Sequence, residues 1–287
     1  MKETKEYRTY QIVIKKEHKL FEYFDELCLS SNNLYNTTNF YIRQVYTAIN
    51  NKKNLQPLQK EVMETIYKNL AKMNDKQTIA YFKKLRNEET KSKEIRKEIS
   101  LNLFEAPSRE KSFLGYNFLD CFFKTIKQKD YYSLPGQINQ QTIKNVVQNW
   151  KSFFSRLKDY KENPHKYKER PSIPGYLPKG SRKEVVLSNQ ICKVVGGRFV
   201  RFPKMKTQLN IGKLVNMKST FQQVRIVPKY GEFIVELVYL MGDKREVVAK
   251  KERCMSLDLG VDNIVTAVFN HDIAPILFKG GKLKAIN

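Results

Sequence analysis

Phe221-Gln-Gln-Val-Arg-Ile-Val-Pro-Lys-Tyr230-Gly231-Glu232-Phe-Ile-Val-Glu-Leu-Val-Tyr239 is the run whose reading decides the fold. Both halves are rich in β-branched and aromatic residues, so Phe221–Val227 and Glu232–Tyr239 read as strands joined by a turn at Tyr230-Gly231. Upstream, the period of two continues in Glu184–Ser188, Ile191–Val195, Arg198–Arg201 and Gln208–Ile211, with another turn at Gly196-Gly197. Short strands separated by glycine turns fit a small antiparallel β-barrel. One more alternating stretch, residues 6–14, stands alone near the start of the chain. The barrel is therefore expected to be discontinuous, with a helical block inserted between its first strand and the rest.

Within that block, Leu20, Phe21, Phe24 and Leu27 share one helical face. A second helix is expected from about Asn33, carrying Leu34, Thr38, Tyr41, Ile42, Val45 and Ile49 in phase. The polar, Lys- and Glu-rich stretch beyond them predicts helix over 55–70 and 78–100. Pro107 interrupts the pattern, Phe113, Leu114, Phe118, Phe122 and Ile126 resume it, and Pro135-Gly136 marks the next start. The strongest helical signal covers 137–161, where Ile143, Val146, Val147, Trp150, Phe153, Phe154 and Leu157 form one apolar, core-facing stripe. Residues 163–180 hold four prolines and two glycines among basic residues and predict an exposed, irregular crossing at a domain boundary. Met255–Leu259, Asn263–Phe269 and the apolar run Ile276–Phe278 begin a new sheet. The chain thus divides into 1–16, the first barrel strand; 17–183, a helical lobe with a basic linker at its end; 184–252, the remaining barrel; and 253–287, the start of another domain.

Charge points to the partner. Lys and Arg number 53 against 29 Asp and Glu, a net +24. The excess is regional: residues 151–250 carry 22 basic and 8 acidic residues, whereas residues 1–50 carry 7 and 6. Aromatic residues interleave with the basic ones (Phe153, Phe154, Tyr160, Tyr167, Tyr176, Phe199, Phe202), a composition suited to nucleic acid, where cations meet phosphates and rings stack on bases. A Lys- and Asn-rich proteome accounts for part of the surplus without any ligand.

No 18-residue apolar run occurs and the first residues lack an apolar signal region, so no membrane partner is expected and the bacterial cytoplasm is the expected location. Cys28, Cys121, Cys192 and Cys254 are scattered without a Cys-x-x-Cys pair, and only His18, His165 and His271 accompany them. No zinc site is expected in this chain; each cysteine reads as a small buried hydrophobe.

Cys254-Met-Ser-Leu-Asp258-Leu-Gly260-Val-Asp262-Asn-Ile-Val-Thr266 sets one acid in an apolar strand before a glycine turn. An unpaired buried carboxylate is costly. A divalent cation would neutralise it, as in ribonuclease-H-like nucleases, whose first strand supports one of several Mg2+-binding carboxylates. Asp258 is the candidate catalytic and metal-binding residue, while Asp262 reads as a turn former. Sugar kinases and actin-like ATPases also open a sheet with Asp-Leu-Gly, usually near their N-terminus; here the segment follows 250 residues of helix and basic barrel, which favours the nuclease reading.

Taken in order, Asn33-Leu-Tyr-Asn-Thr-Thr-Asn-Phe-Tyr-Ile-Arg-Gln44, Leu134-Pro-Gly-Gln-Ile-Asn-Gln-Gln-Thr-Ile143, Asn149-Trp-Lys-Ser-Phe-Phe154, Arg201-Phe-Pro203, Ser256-Leu-Asp-Leu-Gly-Val261 and the closing Phe278–Asn287 run resemble the N-terminal portion of TnpB proteins, RNA-guided DNA endonucleases of insertion sequences. The resemblance implies an α+β, multi-domain chain in which a helical recognition lobe is inserted into a wedge-like antiparallel β-barrel. The first strands of a truncated RuvC/ribonuclease-H-like domain follow. It implies a transposon-end guide RNA and double-stranded target DNA as partners, with base pairing supplying most of the specificity. Gln140, Ser188 and Asn189 match positions that contact the short target-adjacent motif; Gly136 departs from the pattern, which often has a Lys there. The remaining carboxylates, a zinc ribbon and full Mg2+ binding are implied downstream of Asn287, so the 287-residue chain itself is expected not to cut DNA. Two other readings stay open: a catalytically inactive RNA- and DNA-binding module (guided repressor or relic), and part of a compact type V CRISPR effector.

Overall fold

The computed structural model describes residues 6–50, 54–90, 97–212, 219–242, 253–260 and 263–281. It comprises two compact units, Met1–Gly242 and Asp243–Asn287.

The first unit mixes helices with antiparallel sheet. Strand β1 (Tyr7–Ile14) pairs with β7 (Glu232–Met241), more than 200 residues later, in a register running from Tyr7↔Leu240 to Ile14↔Phe233. That pairing makes the sheet discontinuous in sequence and the helices an insertion. β6 (Ser219–Lys229) and β7 form the hairpin expected from the opening run; β2 (Val185–Ser188) adds to β6, for a strand order β1-β7-β6-β2. Tyr230 and Gly231 both take positive φ (52° and 75°), the geometry of a tight two-residue hairpin turn. β3 (Lys193–Val195), β4 (Phe199–Arg201) and β5 (Gln208–Asn210) form a separate three-stranded sheet.

These sheets correct the expected barrel: among the described residues, none closes. Helix α1 (Phe21–Asn50) supplies the physical reason. Phe24, fully buried, packs edge-on against Phe202 beyond β4 at 5.1 Å and against Phe233 on β7 at 6.2 Å, so an aromatic plug stands between the two sheets. Tyr23 donates its hydroxyl to the Pro203 carbonyl at 2.8 Å, fastening the smaller sheet to the helix instead of to a neighbouring strand.

The two helices expected over 17–50 are one continuous helix. Ser31 and Asn32 read as a break, yet their polar groups are satisfied from distant segments: Ser31 shares a hydrogen bond with Thr142 at 3.2 Å, and Asn32 donates to the Pro178 carbonyl at 3.1 Å. Likewise 55–70 and 78–100 fuse into α2 (Pro57–Glu89), opened by Pro57 and by Gln59, whose side chain accepts from the Gln56 amide. Residues 97–100 are not helical, and 91–96 lie outside the described residues. α3 (Tyr116–Thr125), α4 (Lys129–Ser133) and α5 (Gly136–Glu162) complete the lobe. α5 packs along α1 through Ile143, Val146, Val147 and Trp150, all buried as its stripe predicts. No helix among the described residues is long and apolar enough to cross a membrane.

The second unit is an antiparallel meander of β8 (Met255–Asp258), β9 (Asn263–Phe269) and β10 (Ile276–Lys279) in the order β10-β9-β8. Gly260 closes the β8–β9 turn by donating its N–H to the Asn263 carbonyl at 3.0 Å. A Cβ there would sit 2.9 Å from that oxygen, so the close approach requires glycine. Asp262, the expected turn former, lies outside the described residues, as do residues 243–252 of the expected barrel and 282–287 of the closing run.

Candidate nucleic-acid interface

The 174–183 end of the basic crossing is bound to one face of α1. Asn32, Asn36, Asn39 and Arg43 recur at helical spacing, and each offers its side chain to that crossing's backbone. Asn36 makes a reciprocal pair with Leu177, donating to its carbonyl at 3.0 Å and accepting from its N–H at 2.8 Å. Asn39 donates to the carbonyls of Pro174 (3.1 Å) and Gly175 (2.8 Å), while its own oxygen accepts from the Trp150 indole at 2.8 Å. Arg43 donates to the Pro174 carbonyl at 2.6 Å and lies over the Tyr176 ring at 4.9 Å. Further on, Arg182 grips Asp25 with two nitrogens, at 2.8 and 2.5 Å. Prolines remove backbone donors, so this segment cannot join a sheet; the amide ladder satisfies the carbonyls that remain.

Lys168, Arg170 and Lys179 are exposed and make no ion pair among the described residues. Lys183 folds back instead: it is half-buried, its ammonium lies 5.1 Å from the Tyr35 ring centroid, and burial holds its pKa below the ordinary lysine value. Asp159 is held below the usual carboxylate range by hydrogen bonds from Tyr167 (2.6 Å) and Asn163 (3.0 Å).

A second polar group gathers where α5 meets β2. The Ser188 hydroxyl donates to the Gln137 amide oxygen at 2.5 Å, the Gln137 amide donates to Gln190, and the Gln190 N–H reaches back to the Ser188 hydroxyl at 3.3 Å. Gln140 stands one turn beyond Gln137 on the same helix, half-buried and with no hydrogen-bond partner among the described residues. Asn189 is exposed; its backbone N–H pairs with the Gln222 carbonyl at 3.0 Å and its side-chain amide with the Phe221 carbonyl at 3.3 Å, leaving its oxygen outward. Gln140, Ser188 and Asn189, proposed from separate stretches of sequence, thus belong to one junction. Gln137 and Gln190 are the members sequence reasoning passed over. The signal was present: each lies inside an amide-rich run, Gln137-Ile-Asn-Gln-Gln141 and Ser188-Asn-Gln190.

Asp258 differs from expectation. It ends β8 opposite Thr266, and every residue of β8 is exposed. Leu257, Ile264, Val268, Leu277 and Phe278 of the same meander are exposed as well. No group of three or more His, Cys, Asp or Glu able to hold a metal occurs among the described residues. One carboxylate does not make a Mg2+ site, since that ion takes octahedral oxygen coordination, so the described residues do not fit the ion by themselves.

Cys28, Cys121 and Cys192 are buried, and burial pushes the Cys28 and Cys192 thiols up to about 12. Cys254, also expected to be buried, is exposed.

No model of a known protein family matches this chain, and no curated protein does.

Proposed function

We propose that this chain is part of a TnpB-like, RNA-guided DNA endonuclease and that its role is to hold a transposon-end guide RNA and double-stranded target DNA. The observation that carries the proposal is the hydrogen bond between Ser188 and Gln137, which joins the end of β2 to the start of α5. It joins Ser188, which Asn189 follows, to the first turn of α5, one turn before Gln140; the resemblance assigns these three positions to the target-adjacent motif. Amides and hydroxyls are the groups that read base edges, and the free amide of Gln140 and outward oxygen of Asn189 supply both a donor and an acceptor. The exposed cations Lys168, Arg170 and Lys179 suit phosphate.

A meander whose first strand ends in an acid supports a RuvC-like, ribonuclease-H-like reading of 253–287. Asp258 would serve there as one catalytic, Mg2+-binding carboxylate among several, the others lying outside the described residues. The discontinuous sheet built from β1, β7, β6 and β2 takes the part of the wedge-like region. A catalytically inactive RNA- and DNA-binding module is a second reading, since no second acid stands beside Asp258 among the described residues. A compact type V CRISPR effector would share the same chemistry in a different genetic setting.

Sequencing the RNA that copurifies with this chain from its native host tests the proposal. Enrichment of one transposon-end RNA is the expected result. RNA without a common sequence, in amounts set by cellular abundance, would leave only the general binding module.

A further inference from the structure

Between α5 and the crossing at 167–175 lies a cleft of about 670 Å³. Its floor is Tyr35 of α1, almost wholly buried, whose hydroxyl accepts from Asn149 at 2.9 Å. Asn149, Ser152 and Arg156 line one wall at i, i+3 and i+7 of α5; Glu169 and Arg170 line the other.

Arg156 and Arg170 are both exposed, and neither makes an ion pair or hydrogen bond among the described residues. The acid closest to them in sequence on α5, Asp159, does not neutralise Arg156: it is taken by Tyr167, by Asn163 and, at 3.9 Å, by Lys166. Two uncommitted guanidiniums facing one space form a phosphate site, because their planar forks match phosphate oxygens. Glu169 makes a bare anion a poor fit, since it would repel one. A ligand carrying a phosphate at one end and N–H donors at the other satisfies both signs of charge. That is a nucleotide, whose base edge presents exocyclic amines and ring N–H groups. The volume lies within the range of about 300–1,000 Å³ that receives one small ligand.

We propose that this cleft receives one unstacked nucleotide of a single strand, its phosphate held by Arg156 and Arg170 and its base edge by Asn149, Ser152 and Glu169. The proposal rests on the reading of the chain as a nucleic-acid-binding protein and adds a site to it. Free mononucleotides offer the same groups, so the test separates the two sources.

The experiment is fluorescence anisotropy of the full chain with a short labelled oligo-uridylate, its deoxythymidylate counterpart and, as competitor, uridine monophosphate, across a range of salt. Three variants accompany the wild type. Arg156→Gln/Arg170→Gln removes the cations; Lys83→Gln/Lys84→Gln removes the same charge from exposed positions on α2; Ser152→Trp fills the cleft and keeps the charge. The first is expected to lose roughly tenfold or more in affinity, as for lost charge-assisted bonds. Its salt slope should shrink by about 0.7, as for one lost phosphate contact on a single strand. Ser152→Trp should weaken binding without changing the slope, and the α2 variant should match the wild type. A loss confined to one strand type, or shared by both, supports the cleft and names its source. Equal losses in the arginine and α2 variants, or none in either, would overturn the cleft while general nucleic-acid binding stands. Competition by uridine monophosphate at the oligonucleotide's own concentration would overturn the strand in favour of a free nucleotide. A wild-type chain that binds neither strand would overturn the cleft and the broader reading together.

Discussion

Asn39 shows how much one polar residue determines. It is fully buried, and its side chain spends both amide hydrogens on the backbone of the basic crossing and its oxygen on the Trp150 indole. A buried amide with its bonds made is inexpensive, whereas an orphaned partner costs about 1–3 kcal/mol. Trp150 is equally buried and meets the Tyr46 ring edge-on at 5.3 Å. Replacing Trp150 with Ala removes that packing and leaves the Asn39 oxygen unpaired, so the lobe should lose about 3–5 kcal/mol. Urea unfolding followed by circular dichroism measures this; a loss below about 1 kcal/mol would show that the helices close over the gap. From the sequence, Trp150 was legible as core because its neighbours repeat at helical spacing. The buried role of Asn39 was not, since a burial signal read from hydrophobicity passes over an asparagine.

At the scale of elements, α1 acts as a spine. One face packs on α5; Asn32, Asn36, Asn39 and Arg43 hold the crossing; its first aromatic turn plugs the gap between the two sheets. Holding an extended, proline-rich segment requires donors for its carbonyls, and a helix can present them every third or fourth residue. Asn36→Ala breaks the reciprocal pair with Leu177 and should release the segment locally, with a much smaller effect on global unfolding. Faster tryptic cleavage at Lys179, at an unchanged midpoint for the whole lobe, is the expected pattern. Unchanged cleavage would mean that Arg43 and the Arg182–Asp25 pair hold the segment without it. The helix breaks expected near Asn33 and between 70 and 78 are absent because local propensity, worth at most about 0.7 kcal/mol for an ordinary residue, yields to tertiary partners.

For the whole molecule, charge and chemistry lie in different parts of the chain. The basic residues cluster over 151–250, while the one candidate catalytic acid lies in 253–287. Binding and cleavage should therefore separate experimentally. Asp258→Ala is expected to leave RNA affinity unchanged in filter-binding isotherms, and the wild-type 287-residue chain is expected not to nick a guided target in Mg2+. Cleavage by the wild type that disappears in Asp258→Ala would show that the chain assembles a metal site from acids outside the described residues. A drop in RNA affinity in that variant would place 253–287 in the RNA interface.

Periodicity and turn chemistry are local, so they were readable from the sequence: most strands and helices, the isolated first strand that makes the sheet discontinuous, and the basic crossing; Gln140, Ser188 and Asn189 came only from the resemblance. What only the tertiary structure decided depends on partners far along the chain. Ser188 meets Gln137 across 51 residues, and Trp150 meets Asn39 across 111. Among the described residues the expected barrel does not close, Phe24 packing between its sheets, and Asp258 is exposed. A strand's own alternation states which side chains share a face and leaves undetermined whether anything covers that face.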